Sequence, residues 1–240
     1  MTSNDSRRLW AWTLSAATAA GLAAWLIGET KPMWVEAEKR VMMTMGTPGT
    51  VATSQTLQAA EVATAARLHG VFGGCLGLAL GIAGGLASGS PRRGIRIGLL
   101  GMVCGAVVGF GASYAVVPIF YRVRDSFSID LIPSFLMHGV IWGCLSATAA
   151  IALAVGLGGG TSRFGRAVSG GLLGALFGAI IFEMSGAVCF ANDDTGWPVS
   201  KSAASRLMAR LLIAVSVAIG ASVALEVRRS SRLIETPDPS

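Results

Sequence analysis

The sequence predicts an all-α, polytopic membrane bundle of six transmembrane helices with an internal duplication of a two-helix hairpin. Three observations carry this reading. Apolar residues make up 52% of the 240 and charged residues only 13%, too few charges to clothe a soluble domain of this length. The apolar residues fall in blocks long enough to cross a hydrocarbon core of about 30 Å, which takes roughly 20 helical residues, and in lipid such a block satisfies its backbone only as a helix. The third is a repeat. His69-Gly70-Val71-Phe72-Gly73-Gly74-Cys75-Leu76 returns as His138-Gly139-Val140-Ile141-Trp142-Gly143-Cys144-Leu145, six of eight positions identical. Downstream, Gly98-Leu99-Leu100-Gly101 with Gly105-Ala106 returns as Gly171-Leu172-Leu173-Gly174 with Gly178-Ala179.

In chain order, residues 1–8 form a cytoplasmic N-terminus and 9–27 the first span. Arg7-Arg8 ahead of an apolar run also fits an export signal, but no small-x-small cleavage site follows, so a retained signal anchor is favoured. Residues 28–67 are an outer segment punctuated by Pro32, Gly46, Pro48 and Gly49, expected to hold one or two short helices. From Ser54 to Arg67 a helix is expected to run into the second span. Residues 68–120 are repeat hairpin A, with spans 68–87 and 97–119. After an outer loop, 121–134, residues 135–190 are repeat hairpin B, with spans 135–157 and 168–189. An acidic outer loop, 191–206, leads to the last span, 207–226, and 227–240 is a disordered cytoplasmic tail. The four extra residues between the matched blocks of copy two are expected in its inner loop.

Orientation follows from the short loops. Arg92, Arg93 and Arg96 occupy one connection and Arg163 and Arg166 another, with no acid in either; Arg7-Arg8 precede the first span and Arg228, Arg229 and Arg232 follow the last. These segments share one side. The expected location is therefore the inner, or plasma, membrane with both termini cytoplasmic. The outer segment opposes this with Lys31, Lys39, Arg40 and Arg67, but also carries Glu29, Glu36, Glu38 and Glu61. The net charge of +6 is explained by the inner loops, and no nucleic-acid partner is implied. The implied partners are the lipid bilayer and either another membrane protein or a second copy of the chain. The four cysteines contain no CxxC pair and give neither a disulfide framework nor a zinc signature; Cys75, Cys104 and Cys144 are read as small buried residues.

Small residues recur every four positions: Gly73, Gly77, Gly81 and Gly85; Gly101, Gly105, Gly109 and Ser113; Gly170, Gly174 and Gly178; and Ala214, Ala218 and Ser222. Such stripes let helix backbones approach in lipid. They predict packing and specify no transport.

An ionisable group within a bilayer is costly enough to mark a site. His69 and His138, the only histidines, lie near the outer ends of their spans. Glu183 lies about 22 Å above the inner start of its span, and Arg206 and Arg210 open the last one. His69, His138, Glu183 and Arg210 are the candidate polar layer, converging in the outer third between the repeats, with Glu183 paired to Arg210. A carbonyl-bonded histidine is the simpler reading of His69 and His138, and haem or a metal the less favoured one; no cofactor is expected. No catalytic residue is assigned, because no phosphate-binding loop, zinc-protease or nucleophile-elbow motif occurs. The chain reads as a non-enzymatic structural, assembly or accessory membrane component, the alternative being a small-molecule or ion transporter or channel with a polar site between the hairpins.

Overall fold

The structure, a computed structural model, describes residues 3–44, 47–124, 131–190 and 192–226. Arg228, Arg229 and Arg232, the expected disordered tail and Gly46 lie outside the described residues. Six helices follow one another: α1 (Ser3–Gly28), α2 (Ser54–Ala87), α3 (Pro91–Val123), α4 (Leu131–Gly156), α5 (Thr161–Cys189) and α6 (Ala203–Glu226). Each is long and apolar enough to cross a membrane. The chain is an all-α, six-helix, multi-pass membrane protein.

Helices α1, α2, α4, α5 and α6 form a ring in that order, α6 closing on α1, and α3 lies outside it against α2 and α4. One end of the bundle is basic and holds the two tight turns. Both turns use a left-handed glycine, Gly89 at φ 73° and Gly158 at φ 69°, a conformation L side chains adopt only at a cost. Each is followed by an amide that reaches five residues back, Ser90 N–H to Gly85 O and Gly159 N–H to Ala154 O, which satisfies a carbonyl orphaned by the end of the helix. The four extra residues of the second hairpin are not all in the turn, where the sequence reading expected them. The turn after Gly158 is one residue longer than that after Gly89, and the other three extend the start of α5.

The opposite, capped end carries the long connections. Here the expected short helices give way to a single 3-10 turn, Lys31–Met33, followed by a β-hairpin of β1 (Lys39–Thr44) and β2 (Thr47–Ala52). The strands pair antiparallel from Lys39↔Ala52 to Thr44↔Thr47. β-branched Val41, Thr50 and Val51 favour the pleated state, and Pro48 is tolerated because each strand of a two-stranded sheet is an edge. Helix α2 then starts at a capping box: the Thr53 hydroxyl accepts the Thr56 amide at 3.3 Å and the Thr56 hydroxyl accepts the Thr53 amide at 3.0 Å. Its 34 residues span about 51 Å, well beyond an acyl core of about 30 Å. Its first turns, with Leu57, Ala60, Glu61 and Thr64, wall the cap.

Two seams of small residues close the bundle. Along α2 and α3, Gly73 faces Gly105, Gly77 faces Gly101, Gly81 faces Gly98 and Gly85 faces Gly94, so close that a Cβ at any of the four α2 positions would strike the α3 backbone. Along α5 and α6, Gly170 meets Gly220 and Gly174 meets Ser216. The α6 stripe of Ala214, Ala218 and Ser222 is buried elsewhere: Arg210 at its head backs onto Gly21 of α1, and the Ser222 hydroxyl is 3.0 Å from that of Thr13. The two hairpins thus use their sequence-matched glycines differently. Gly101 and Gly105 turn toward their own hairpin partner, α2, while Gly174 and Gly178 turn away from α4 toward α6. Cys104 corrects the expectation of buried thiols, since the glycine stripe turns the neighbouring position outward and leaves Cys104 exposed; Cys75 and Cys144 are half-buried.

Candidate functional site

Within the capped end of the ring, α2, α4, α5 and α6 each bring polar side chains to one depth. His69 on α2 hydrogen bonds through Nδ1 to the Ala65 carbonyl one turn earlier, at 3.0 Å. A carbonyl only accepts, so Nδ1 carries the proton and Nε2 is the remaining nitrogen. His138 on α4 occupies the equivalent repeat position and bonds differently: its Nδ1 is 2.7 Å from Glu183 Oε1 on α5. Ser134, one turn before His138, donates to the same oxygen at 2.6 Å. The His138 ring stacks on Trp142 at 4.5 Å between centroids and meets the edge of Phe182 at 5.6 Å. Glu183 Oε2 is buried without a hydrogen-bond partner among the described residues.

This corrects the expected Glu183–Arg210 pairing. Glu183 belongs with His138 and Ser134, because α4 and α5 are hairpin partners and the carboxylate projects back onto α4. Arg210 instead reaches across the ring from α6 and donates from Nη1 to the Leu68 carbonyl of α2 at 2.8 Å, its guanidinium 5.0 Å from the Phe72 centroid. The residue is 8% exposed and has no carboxylate partner among the described residues. The four candidate residues therefore gather at one level, bonded as His138–Glu183 and as two separate contacts to backbone carbonyls.

Above them sits the cap. Arg206, one turn before Arg210, grips Glu29 at the end of α1 with Nε to Oε1 at 2.7 Å and Nη2 to Oε2 at 2.6 Å, the two-pronged geometry a planar guanidinium favours. Its Nη1 donates to the carbonyls of Ser200 and Lys201 at 2.8 and 2.6 Å, and the group lies 4.8 Å from the Trp34 centroid. One side chain thus pins α1, α6, the Trp34 segment and the 192–202 loop together.

The 198–200 segment separates two spaces. Below it is a small void of about 30 Å³ lined by His69, His138, Trp142, Arg206 and Arg210, among others. Above it is a cleft of about 530 Å³ walled by Trp34, Tyr121 and Trp197 with Glu61, Asp194 and Lys201 at its polar positions. Tyr121 donates to Glu61, Lys201 pairs with Asp194, and Arg124 lies 4.5 Å from the Trp197 centroid. The sequence reading missed this cleft. Its signal was Tyr121 at the end of α3 and the Trp197-Pro198 pair in the loop, aromatic groups at the ends of apolar spans. No protein-family model, curated protein or solved structure matches the chain. Among the described residues, no three His, Cys, Asp or Glu side chains are grouped so as to hold a metal ion.

Proposed function

We propose that the chain is a non-enzymatic accessory component of the inner membrane, its bundle a rigid frame that holds the 530 Å³ cleft on the outer face, with both termini cytoplasmic. The observation that carries this reading is how the polar layer is used. The side chains that would line a transport route are bonded within the bundle instead: His69 to Ala65, His138 and Ser134 to Glu183, and Arg210 to Leu68. Translocation needs a hydrated or polar path, and the small-residue seams bring α2 against α3 and α5 against α6, backbone to backbone. The cleft has the size and the aromatic lining of a site that takes a small molecule or a partner side chain. The partner in this reading is a membrane protein or a second copy of the chain.

Thiol accessibility tests it. In a chain with Cys75, Cys104, Cys144 and Cys189 replaced, Ser146→Cys places a thiol two turns below His138, at a fully buried position. The frame reading expects no reaction with a membrane-impermeant maleimide from either side, while Lys201→Cys at the cleft reacts from outside. Labelling at position 146 would refute the frame and favour a conduit.

A further inference from the structure

The void beneath the 198–200 segment is lined by two guanidinium groups, those of Arg206 and Arg210, and none of its lining residues is acidic. Among the described residues, none of the acids nearest in the fold bonds to Arg210. Both Glu29 oxygens are held by Arg206, Glu183 Oε1 takes Ser134 and His138, and Asp194 pairs with Lys201 on the cleft side. Arg210 is the anomaly. A guanidinium carries five N–H donors and keeps its charge; among the described residues this one makes a single hydrogen bond, to Leu68 O, and it sits in the bundle at 8% exposure. A buried cation without a counter-charge is strongly unfavourable, and the protein offers it a carbonyl dipole and the face of Phe72.

We propose that this void is a buried site for a monatomic anion, chloride in the cell, held by the Arg210 guanidinium and roofed by the 198–200 segment. Size favours it. A space of about 30 Å³ holds about two waters or one halide in their place. The lining favours it too. The Arg210 N–H groups not taken by Leu68 supply charge-assisted donors. The ion is structural on this account, the counter-charge that lets an arginine span the ring from α6 to α2.

The test is the unfolding temperature of the full chain in detergent, at constant sodium and ionic strength, as gluconate is replaced by chloride or bromide. A saturable rise of about 3 °C is expected, equal for the two halides and lost in Arg210→Gln. The same unfolding temperature in all three salts, or a halide dependence that Arg210→Gln retains, overturns the proposal and leaves the void to water. Should Arg210→Gln not fold, iodide quenching of tryptophan fluorescence decides. A saturable component present in the parent and absent from Trp142→Phe supports the site, and quenching linear in iodide in both proteins overturns it.

Discussion

Replacing Gly81 by alanine sets two effects of opposite sign against each other. Alanine favours the helix by at most about 1 kcal/mol over glycine. The added Cβ, however, would lie 2.7 Å from both Cα and N of Gly98, where carbon pairs are at ease near about 3.5–4.0 Å. The helices must then part by roughly 1 Å, and the obstacle is backbone, which no rotamer change can clear. Overfilling a closed interface costs typically about 1–3 kcal/mol, so a net loss of roughly 1–2 kcal/mol is expected once propensity is set against it. Gly111 on the same pair of helices is the control, since nothing lies within 4 Å of a Cβ built there and only the propensity gain operates. Unfolding of the full chain in detergent, followed by circular dichroism, reads both. Gly81→Ala should unfold more easily than the parent and Gly111→Ala no more easily. If the two substitutions shift stability in the same direction by similar amounts, the contact argument for the seam is wrong.

Two further outcomes are expected. The His138–Glu183 pair is nearly dry, its side chains 3% and 7% exposed, so His138→Leu alone should cost about 3–5 kcal/mol by stranding the carboxylate, and His138→Leu with Glu183→Leu should cost less than the single change; a double-mutant cycle in the same unfolding assay measures this, and additive losses would contradict it. Single thiols introduced at Ser90 and Thr161, in the basic turns, should resist impermeant reagents added outside intact cells, and modification of either would reverse the proposed orientation.

The spans were legible because lipid imposes one solution on a long apolar run, and six blocks became six helices. Their ends were less so. Helix α2 begins at Ser54, fourteen residues before the apolar block at Leu68, since the membrane sets where apolar residues stop and the capping box at Thr53 sets where the helix starts. The β-hairpin was hidden by Pro48 and Gly49, which read as loop, although the run of β-branched residues around them pointed to strands. Depth counting brought His69, His138, Glu183 and Arg210 to one level, because rise per residue is fixed within a helix. It left their pairing open. Glu183 has neighbours on both flanks, α4 and α6, and only its angular position about α5 decides between His138 and Arg210. A rotation of that kind depends on which glycines of α5 turn to α6, and Gly174 and Gly178 do so where their counterparts in α3 turn to α2.

Pro198, Val199 and Ser200 line the cleft above and the void below, so one strip of chain is floor to the first and ceiling to the second. A partition common to two chambers cannot move for one alone. A body that presses into the cleft lowers the ceiling of the void, and an occupant that props the ceiling stiffens the floor. Arg206, clamped to the carbonyls of Ser200 and Lys201 and to Glu29, is the strut that carries this load to the end of α1. Linkage then requires the exchange to run both ways by the same factor: whatever occupancy of the void does for binding at the cleft, binding at the cleft does for the void.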